Sequence, residues 1–540
     1  MRKLLLLCSL AAAFCVRAQG VWTADRGDGT YKNPVLFADY SDPDAIRTGD
    51  DYWMTSSSFN CVPGLQILHS RDLVNWEIVG AALPRLYDGA FDAPSHGNGV
   101  WAPAIRFHDG WYYIYWGDPD RGIYMVRTQD PRGKWSEPLL VKAARGIIDT
   151  CPLWDDDGRA YLVHGWAGSR AGFKSVLSVS EMTPDGTRLV GDEVLIFDGH
   201  DAHPTVEGPK FYKRNGYYYV FAPAGGVKTG WQIVLRSRSP WGPYECRTVL
   251  HQGGTATPGP HQGAWVEDTA GDSWFLHFVD RYAYGRVVHL QPMAWTDDDW
   301  CVIGIDRNGD GVGEPVDTFR KPASNGPCRS TTPAESDEFD SRTLGLHWQW
   351  HANPQTGWYF MNPTDGRLRL MCVRNPAGWR NLWDTPNLLL QKVPAPDCTF
   401  TTRITFRGAY EGDRAGLVMM GMDYGALFAE LRGGKLALVQ AACRNADKGT
   451  AEVRGAEVPL ADGTVCLRCR IAWEQDRKGT PRMVCRFSYS LDGERFMEIG
   501  QPFTAREGRW IGAKIGYFAT AEQQRNDGGW LDADFFRVAP

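Results

Sequence analysis

The feature that most constrains this chain is a motif that comes round five times before residue 301. Each copy holds a two-residue turn, an aromatic strand, a β-branched strand and, in most copies, a tryptophan. Gly49-Asp50 leads to Tyr52–Met54, Leu65–Ser70 and Trp76. Asp109-Gly110 leads to Trp111–Trp116, Ile123–Val126 and Trp135. Asp157-Gly158 leads to Tyr161–Val163 and Ser175–Val179. Asn215-Gly216 leads to Tyr217–Phe221, Gln232–Leu235 and Trp241. Gly271-Asp272 leads to Trp274–Leu276, Arg286–Leu290 and Trp300. The turns recur every 48 to 60 residues, the length of one four-stranded blade with its loops. Asp-Gly and Asn-Gly supply the positive φ that tight hairpins need. No amphipathic helix of any length interrupts the pattern. The expected fold class is therefore all-β, with a five-bladed β-propeller over residues 26–320. Such a ring gathers one loop from every blade around a central depression, the natural place for a site.

The repeat stops before residues 321–335, Lys-Pro-Ala-Ser-Asn-Gly-Pro-Cys-Arg-Ser-Thr-Thr-Pro-Ala-Glu, which read as a linker. Residues 336–540 carry short strand-like runs without the blade motif. In Arg367–Met371, Leu368 and Leu370 alternate with Arg367 and Arg369, the period of a half-buried strand. Phe400–Phe406 and Ala415–Met419 read the same way. A β-sandwich of concanavalin or jelly-roll type is expected there.

Arg2 and Lys3 precede an apolar run from Leu4 to Phe14, and Val16-Arg17-Ala18 follows as a cleavage site. Residues 1–18 read as a signal peptide, with Gln19 first in the exported chain, which is expected to be secreted or periplasmic. Beyond residue 20 no apolar run is long enough to span a membrane. The net charge of -6 is spread without long runs of one sign, which argues against nucleic acid as a partner. Cys466 and Cys469 form a CxxC, but an offset of three in a strand sends the pair to opposite faces, and no histidine or second pair completes a metal site. The 23 Trp, 21 Tyr and 23 Phe suit a multi-stranded core with sugar-stacking surfaces.

Three acids sit ahead of blade strands. Asp42 lies in Tyr-Ser-Asp-Pro-Asp, Asp149 in Ile-Ile-Asp-Thr-Cys-Pro and Glu207 in Thr-Val-Glu-Gly-Pro. Singly, each reads as a turn or cap. Three at equivalent places in their repeats converge on one axial face. Cleaving a glycosidic bond with inversion needs a base for water and an acid for the leaving oxygen, about 6.5–9.5 Å apart. A third carboxylate raises the acid's pKa by like-charge repulsion.

Asn33-Pro34-Val35-Leu36 with Ser41-Asp42-Pro43-Asp44, Ser56–Phe59 with Pro63-Gly64, His69–Trp76, Trp101-Ala102-Pro103 with Ile105-Arg106, Asp149 with Pro152, and Glu207-Gly208-Pro209 together resemble glycoside hydrolase family 43, in order, over about residues 30–320. The second domain is similar to the sandwich that many members append. The resemblance implies an inverting glycosidase with Asp42 as general base, Glu207 as general acid and Asp149 orienting Glu207 and tuning its pKa. Asp39 and Asp44 flank the base, and Asp44 stands where the family often has serine. Trp101 and Phe59 resemble walls of the first sugar pocket. Arg286 resembles an arginine that bonds substrate hydroxyls. His261 resembles the histidine that reaches the propeller axis, often with a bound calcium ion or an axial water. Core packing, a strand-face arginine and a structural histidine are the plainer readings of those four positions.

No cofactor is required by this chemistry, and a structural calcium is the one ion considered. Asp306, Asn308, Asp310, Gly311 and Asp317 fall at positions 1, 3, 5, 6 and 12 of a calcium-loop pattern. Asp replaces the usual Glu at 12 and no helices flank the loop, so an ordinary turn is the favoured reading. The expected partner is a plant polysaccharide or oligosaccharide. The leading function is an exo-acting α-L-arabinofuranosidase or β-xylosidase. An endo-arabinanase and a non-catalytic carbohydrate-binding protein are the alternatives, and a paired acid and base disfavours the latter. A fructan hydrolase would carry Asn-Asp-Pro-Asn-Gly, which is absent.

Overall fold

A computed structural model describes residues 20–477, 479–523 and 526–540; the expected signal peptide, residues 1–18, lies outside them. Five four-stranded antiparallel sheets follow one another along the chain. After a short strand, β1 (Thr30–Lys32), the first blade holds β2 (Asp44–Thr48), β3 (Asp51–Thr55), β4 (Gly64–Ser70) and β5 (Glu77–Leu83). The second holds β6 (Trp101–His108), β7 (Trp111–Asp118), β8 (Gly122–Thr128) and β9 (Leu139–Ala143). The third holds β10 (Ile147–Trp154), β11 (Ala160–Trp166), β12 (Val176–Met182) and β13 (Leu189–Asp198). The fourth holds β14 (Lys210–Arg214), β15 (Tyr217–Ala224), β16 (Trp231–Ser237) and β17 (Glu245–Leu250). The fifth holds β18 (His261–Glu267), β19 (Ser273–Asp280), β20 (Arg286–Trp295) and β21 (Cys301–Ile303). β22 (Thr318–Arg320) pairs with β1 and fastens the two ends of the ring.

The turn dipeptides join the first and second strands of each blade, so the repeat as read from sequence starts one strand late. Asp109-Gly110 and Asn215-Gly216 have positive φ at both residues, the demand of a type I′ hairpin. The aromatic strand that follows is second in its blade and is covered on both faces by neighbouring blades. Tyr112 to Trp116 are all buried for this reason. A hydrophobic cluster fills each junction between consecutive blades, including the one between the fifth and the first, so the ring is closed by packing all the way round. Trp76, Trp135, Trp241 and Trp300 each stand just before an outermost strand, and all but Trp241 are buried. An aromatic side chain of this size hides about 150–250 Å², worth about 4–6 kcal/mol as an upper estimate.

Residues beyond 335 form two eight-stranded antiparallel-rich sheets packed as a sandwich. The three expected strands lie in Arg367–Met371, Cys398–Arg407 and Arg414–Met420. Leu368 and Leu370 point inward, while Arg367 and Arg369 do not. Cys466 and Cys469 belong to Thr464–Gln475 and are not bonded to each other.

The linker is fixed along the propeller. Lys321 pairs with Asp25 at 2.6 Å and Asp72 at 2.7 Å, and the Thr331 amide donates to Asn75 Oδ1. The sandwich then leans on the first blade. Val62 and Trp350 exchange two backbone hydrogen bonds, and one hydrophobic cluster runs from Trp53, Val62 and Phe91 through Trp350, Leu389 and Ile515. Among the described residues the one α-helix is Gly168–Ala171, and no helix is long and apolar enough to cross a membrane.

Candidate active site

Each innermost strand begins at the same face of the ring, and each beginning carries one left-handed residue: Asp42 (φ 54°), Ala102 (28°), Asp149 (59°), Gly208 (60°) and Gln262 (37°). Four of these five have a side chain, at a cost of about 1–2 kcal/mol each for that backbone region. The register is finer than the sequence suggested. Asp42 and Asp149 occupy the same place, whereas Glu207 stands one residue earlier, with Gly208 in the left-handed position. Trp101 and His261 share the register of Glu207. Asp149 also lies inside β10, at a bulge between Ile148 and Cys151, rather than ahead of a strand.

Asp42 is buried among donors. Its Oδ2 accepts from Ser41 Oγ at 2.7 Å and Ser57 Oγ at 2.5 Å, and its Oδ1 faces Arg286 Nη1 at 3.4 Å. Arg286 Nη1 also donates to Ser41 Oγ at 2.7 Å, and Ser57 Oγ accepts from the Ala102 amide at 2.7 Å. Asp44 points elsewhere. It is wholly buried, and its Oδ2 accepts from the Ile105 amide and from Arg106 Nη1 at 2.6 Å. Asp44 is thus a structural ion pair, and Asp42 is the aspartate that faces Arg286.

Asp149 Oδ2 accepts from the Gly208 amide at 2.8 Å, which ties the third blade to the residue after Glu207. Burial, and then the charge on Asp42, push the Asp149 carboxyl above its ordinary value, while the Gly208 N–H and Lys210 pull it back. Glu207 is pushed further up, by burial first and then by Asp149 and Asp42. Its side chain keeps 31% of its surface open to solvent while protein crowds it on the other sides. Gly165 leaves room beside both acids: a Cβ there would lie 3.8 Å from Asp149 Oδ2 and 3.9 Å from Glu207 Cβ.

His261 Nε2 stands 3.4 Å from Glu207 Oε1. Burial, then Arg286, lower the imidazole to about 3, so it is neutral beside the acid. Its two ring nitrogens and Gln262 Oε1 are buried without hydrogen-bond partners among the described residues. Asn308 and Asp310 are exposed and Asp306 is half-buried. Asp306 accepts from the Gly309 and Gly311 amides, Asp310 accepts from the Val312 amide, and Asn308 Nδ2 donates to Asp310 Oδ2. These side chains cap their own turn. Among the described residues no group of three or more His, Cys, Asp or Glu is placed to hold a metal.

Phe59 is 2% exposed and meets Trp101 edge-on at 6.1 Å. Trp101 keeps partial exposure, donates from Nε1 to Gly97 O, and has the Arg170 guanidinium 5.6 Å from its ring. The side of Trp101 nearest the sandwich is met by Trp510, 5.9 Å away and 46% exposed. Asp39 joins the domains directly. Its Oδ1 accepts from the Arg286 amide at 2.8 Å and its Oδ2 from the Gly512 amide at 3.0 Å. Gly285 and Gly512 let the backbones approach; a Cβ on Gly285 would fall 2.4 Å from Asp39 Oδ1, and one on Gly512 would fall 2.8 Å from Gly285 N. Ser41 and Ser57 were visible in sequence as neighbours of recognised motifs. Trp510 and Gly512 carried no local signal beyond a tryptophan between glycines.

The family model described as Glycosyl hydrolases family 43 matches residues 31–301, and that of the Beta xylosidase C-terminal Concanavalin A-like domain matches residues 336–539. A protein of Xylanibacter ruminicola, provisionally named a beta-xylosidase, is 38% identical over 506 residues, covering 93% of this chain and 88% of that one. A non-reducing end alpha-L-arabinofuranosidase of Bacteroides ovatus is 28% identical over 446 residues, covering 78% and 80%. The crystal structure of a xylan beta-1,4-xylosidase from Bacillus halodurans superposes with a TM-score of 0.82 at 26% identity, covering 94% of this chain and 100% of that one.

Proposed function

This chain belongs to glycosyl hydrolases family 43 and is a glycoside hydrolase, and from that premise we propose that it releases terminal pentose units from xylan-type chains with inversion at the anomeric carbon. The single observation that carries this reading is the unequal treatment of three neighbouring carboxyls. Asp42 meets only donors. Glu207 is held protonated by burial and two like charges, yet part of its side chain stays open to solvent.

In the proposed step a water lies between Asp42 and the anomeric carbon. Asp42 takes its proton as the oxygen attacks. Glu207 gives its proton to the glycosidic oxygen as the carbon–oxygen bond breaks on the opposite side of the ring. Asp42 ends protonated and Glu207 ionised, and solvent exchange restores both. Asp149 holds the Gly208 amide and, through its charge, keeps the proton on Glu207. Arg286 is available to substrate hydroxyls beside Asp42. Neutral His261 leaves the Glu207 proton in place, because an imidazolium there would draw it off.

Xylose is the favoured terminal sugar, on the names of the Xylanibacter and Bacillus relatives. The Bacteroides relative supports arabinofuranose as a second reading. Trp510 and Arg509, beside Trp101 and Gly97, favour a pocket closed at one end over the open groove of an endo-arabinanase. Export from the cytoplasm to meet plant cell-wall polysaccharide is part of the proposal, on the strength of Arg2, Lys3 and the Leu4–Phe14 run. The test is hydrolysis of 4-nitrophenyl β-D-xyloside against the α-L-arabinofuranoside, with NMR of the first-formed anomer. A retained anomer, or turnover of neither glycoside, would overturn the reading.

A further inference from the structure

A cleft of about 500 Å³ opens over the end of the fourth blade, bounded by the loop that enters that blade, the loop that leaves it and Val312. Its face follows from topology. β14 begins beside Glu207, so antiparallel β15 ends there, β16 begins there and β17 ends there. The lining comes from those ends and their loops: His203, Thr229, Trp231, Thr248, His251 and Gln252. The cleft is therefore on the catalytic face, and the catalytic step uses none of these residues.

Its chemistry is that of a site for a neutral, hydroxyl-rich ligand. No Lys, Arg, Asp or Glu lines it. Burial lowers the His203 pKa, which keeps the ring uncharged. Trp231 Nε1 donates to His203 Nδ1 at 3.2 Å, so the ring proton sits on Nε2, 3.5 Å from Cys246 Sγ. The Trp231 indole is held against Gly225, where a Cβ would come 2.3 Å from Cζ3. A fixed, partly open indole offers the flat apolar surface on which the C–H face of a sugar stacks. Around it stand two threonine hydroxyls, the Gln252 amide and His251, whose buried Nε2 has no partner among the described residues. A charged ligand would find no counter-charge to offset its desolvation. The volume is that of a ligand site.

The wall between cleft and catalytic pocket is thin. Gly230 lines the cleft, and a Cβ on it would lie 3.2 Å from His261 Cδ2. The loop that carries His203 runs directly into Glu207. We infer that this cleft is a second carbohydrate site, which holds a neutral segment of the polysaccharide beside the pocket that cleaves its end. The sugar chemistry stands on the lining alone; the pentose identity of the chain rests on the function proposed above.

The experiment is affinity electrophoresis of the full chain through gels containing soluble neutral arabinoxylan, with anionic polygalacturonate as the control. The wild type is expected to be retarded by arabinoxylan only. Thr248→Arg, which fills the cleft, and Gln252→Ala are expected to weaken retardation at least fivefold and to raise KM for xylan, with kcat/KM for the nitrophenyl glycoside within twofold of wild type. Trp231→Ala is scored only if its melting temperature matches wild type; the other two variants keep the test decisive. Absence of wild-type retardation, equal retardation by polygalacturonate, or wild-type behaviour of Thr248→Arg would overturn the site. Lost retardation in Thr248→Arg, with no hydrolysis of either nitrophenyl pentoside by wild type, would uphold the cleft and sink the catalytic reading instead.

Discussion

Replacing Asp149 by Asn probes the division of labour among the three carboxyls. The substitution keeps an acceptor for the Gly208 amide and removes one negative charge. Asp149 Oδ2 lies within about 8 Å of Glu207 Cβ across Gly165, so the two carboxylate charges are on the order of 8 Å apart and, at an effective dielectric of ~20, repel by about 2 kcal/mol. That corresponds to about 1.5 pKa units, and solvent at the pocket mouth trims the expected shift to about 0.5–1.5 units. The sign follows from the role of Glu207. In the proposed step it works protonated, so its ionisation would set the alkaline limb of the rate profile, and a carboxylate at Asp149 resists that ionisation. Without the carboxylate the limb moves to lower pH. The two groups titrate as a pair, so the wild-type limb belongs to both. The assay is kcat/KM against pH on xylobiose, because a sugar leaving group needs the acid's proton whereas nitrophenolate leaves with little help. A limb that stays in place, or moves upward, would refute the argument that Asp149 acts through charge.

Asp42→Ala is expected to lower kcat by about 10³-fold or more on xylobiose and nitrophenyl xyloside alike, with an unchanged melting temperature; comparable turnover on either substrate would remove Asp42 from the base role. Glu207→Gln should cost about 10²–10⁴-fold on xylobiose and much less on the nitrophenyl glycoside, and equal losses on both would argue against proton donation. Gly208→Ala places a Cβ 2.6 Å from Gln262 Cδ at φ +60°, so it should lower stability by about 1–3 kcal/mol in denaturant melts and reduce kcat through displaced Glu207. Asp39→Ala removes the acceptor of the Arg286 and Gly512 amides; KM should rise more than kcat falls, and an unaltered KM would show that Arg286 is held by other means.

The period of the blades was legible because hairpin turns need positive φ, and Asn-Gly or Asp-Gly states that need in two letters. The innermost strands were not. Asp44 and Lys210 are charged residues at 0% exposure, and a strand containing them shows neither alternation nor an apolar run. Their burial depends on partners in other blades: Arg106 for Asp44 and the Pro103 carbonyl for Lys210. The acids were found by context, but their register was not, since the left-handed residue that fixes it is Asp in two blades, Ala in one, Gly in one and Gln in one. Phe59 looked like a pocket wall and instead lies almost wholly covered against Cys61, Ile511 and the edge of Trp101. The contact between Asp39 and Gly512 spans 473 residues of sequence, and no local pattern announces it.

The grip of one carboxylate on amides from both domains makes the sandwich a bearing surface of the candidate active site. A recombination event that exchanged this domain for a foreign one would have to reproduce a glycine-to-glycine seam, or arginine positioning would loosen. The two halves are therefore expected to tolerate exchange only as a matched set.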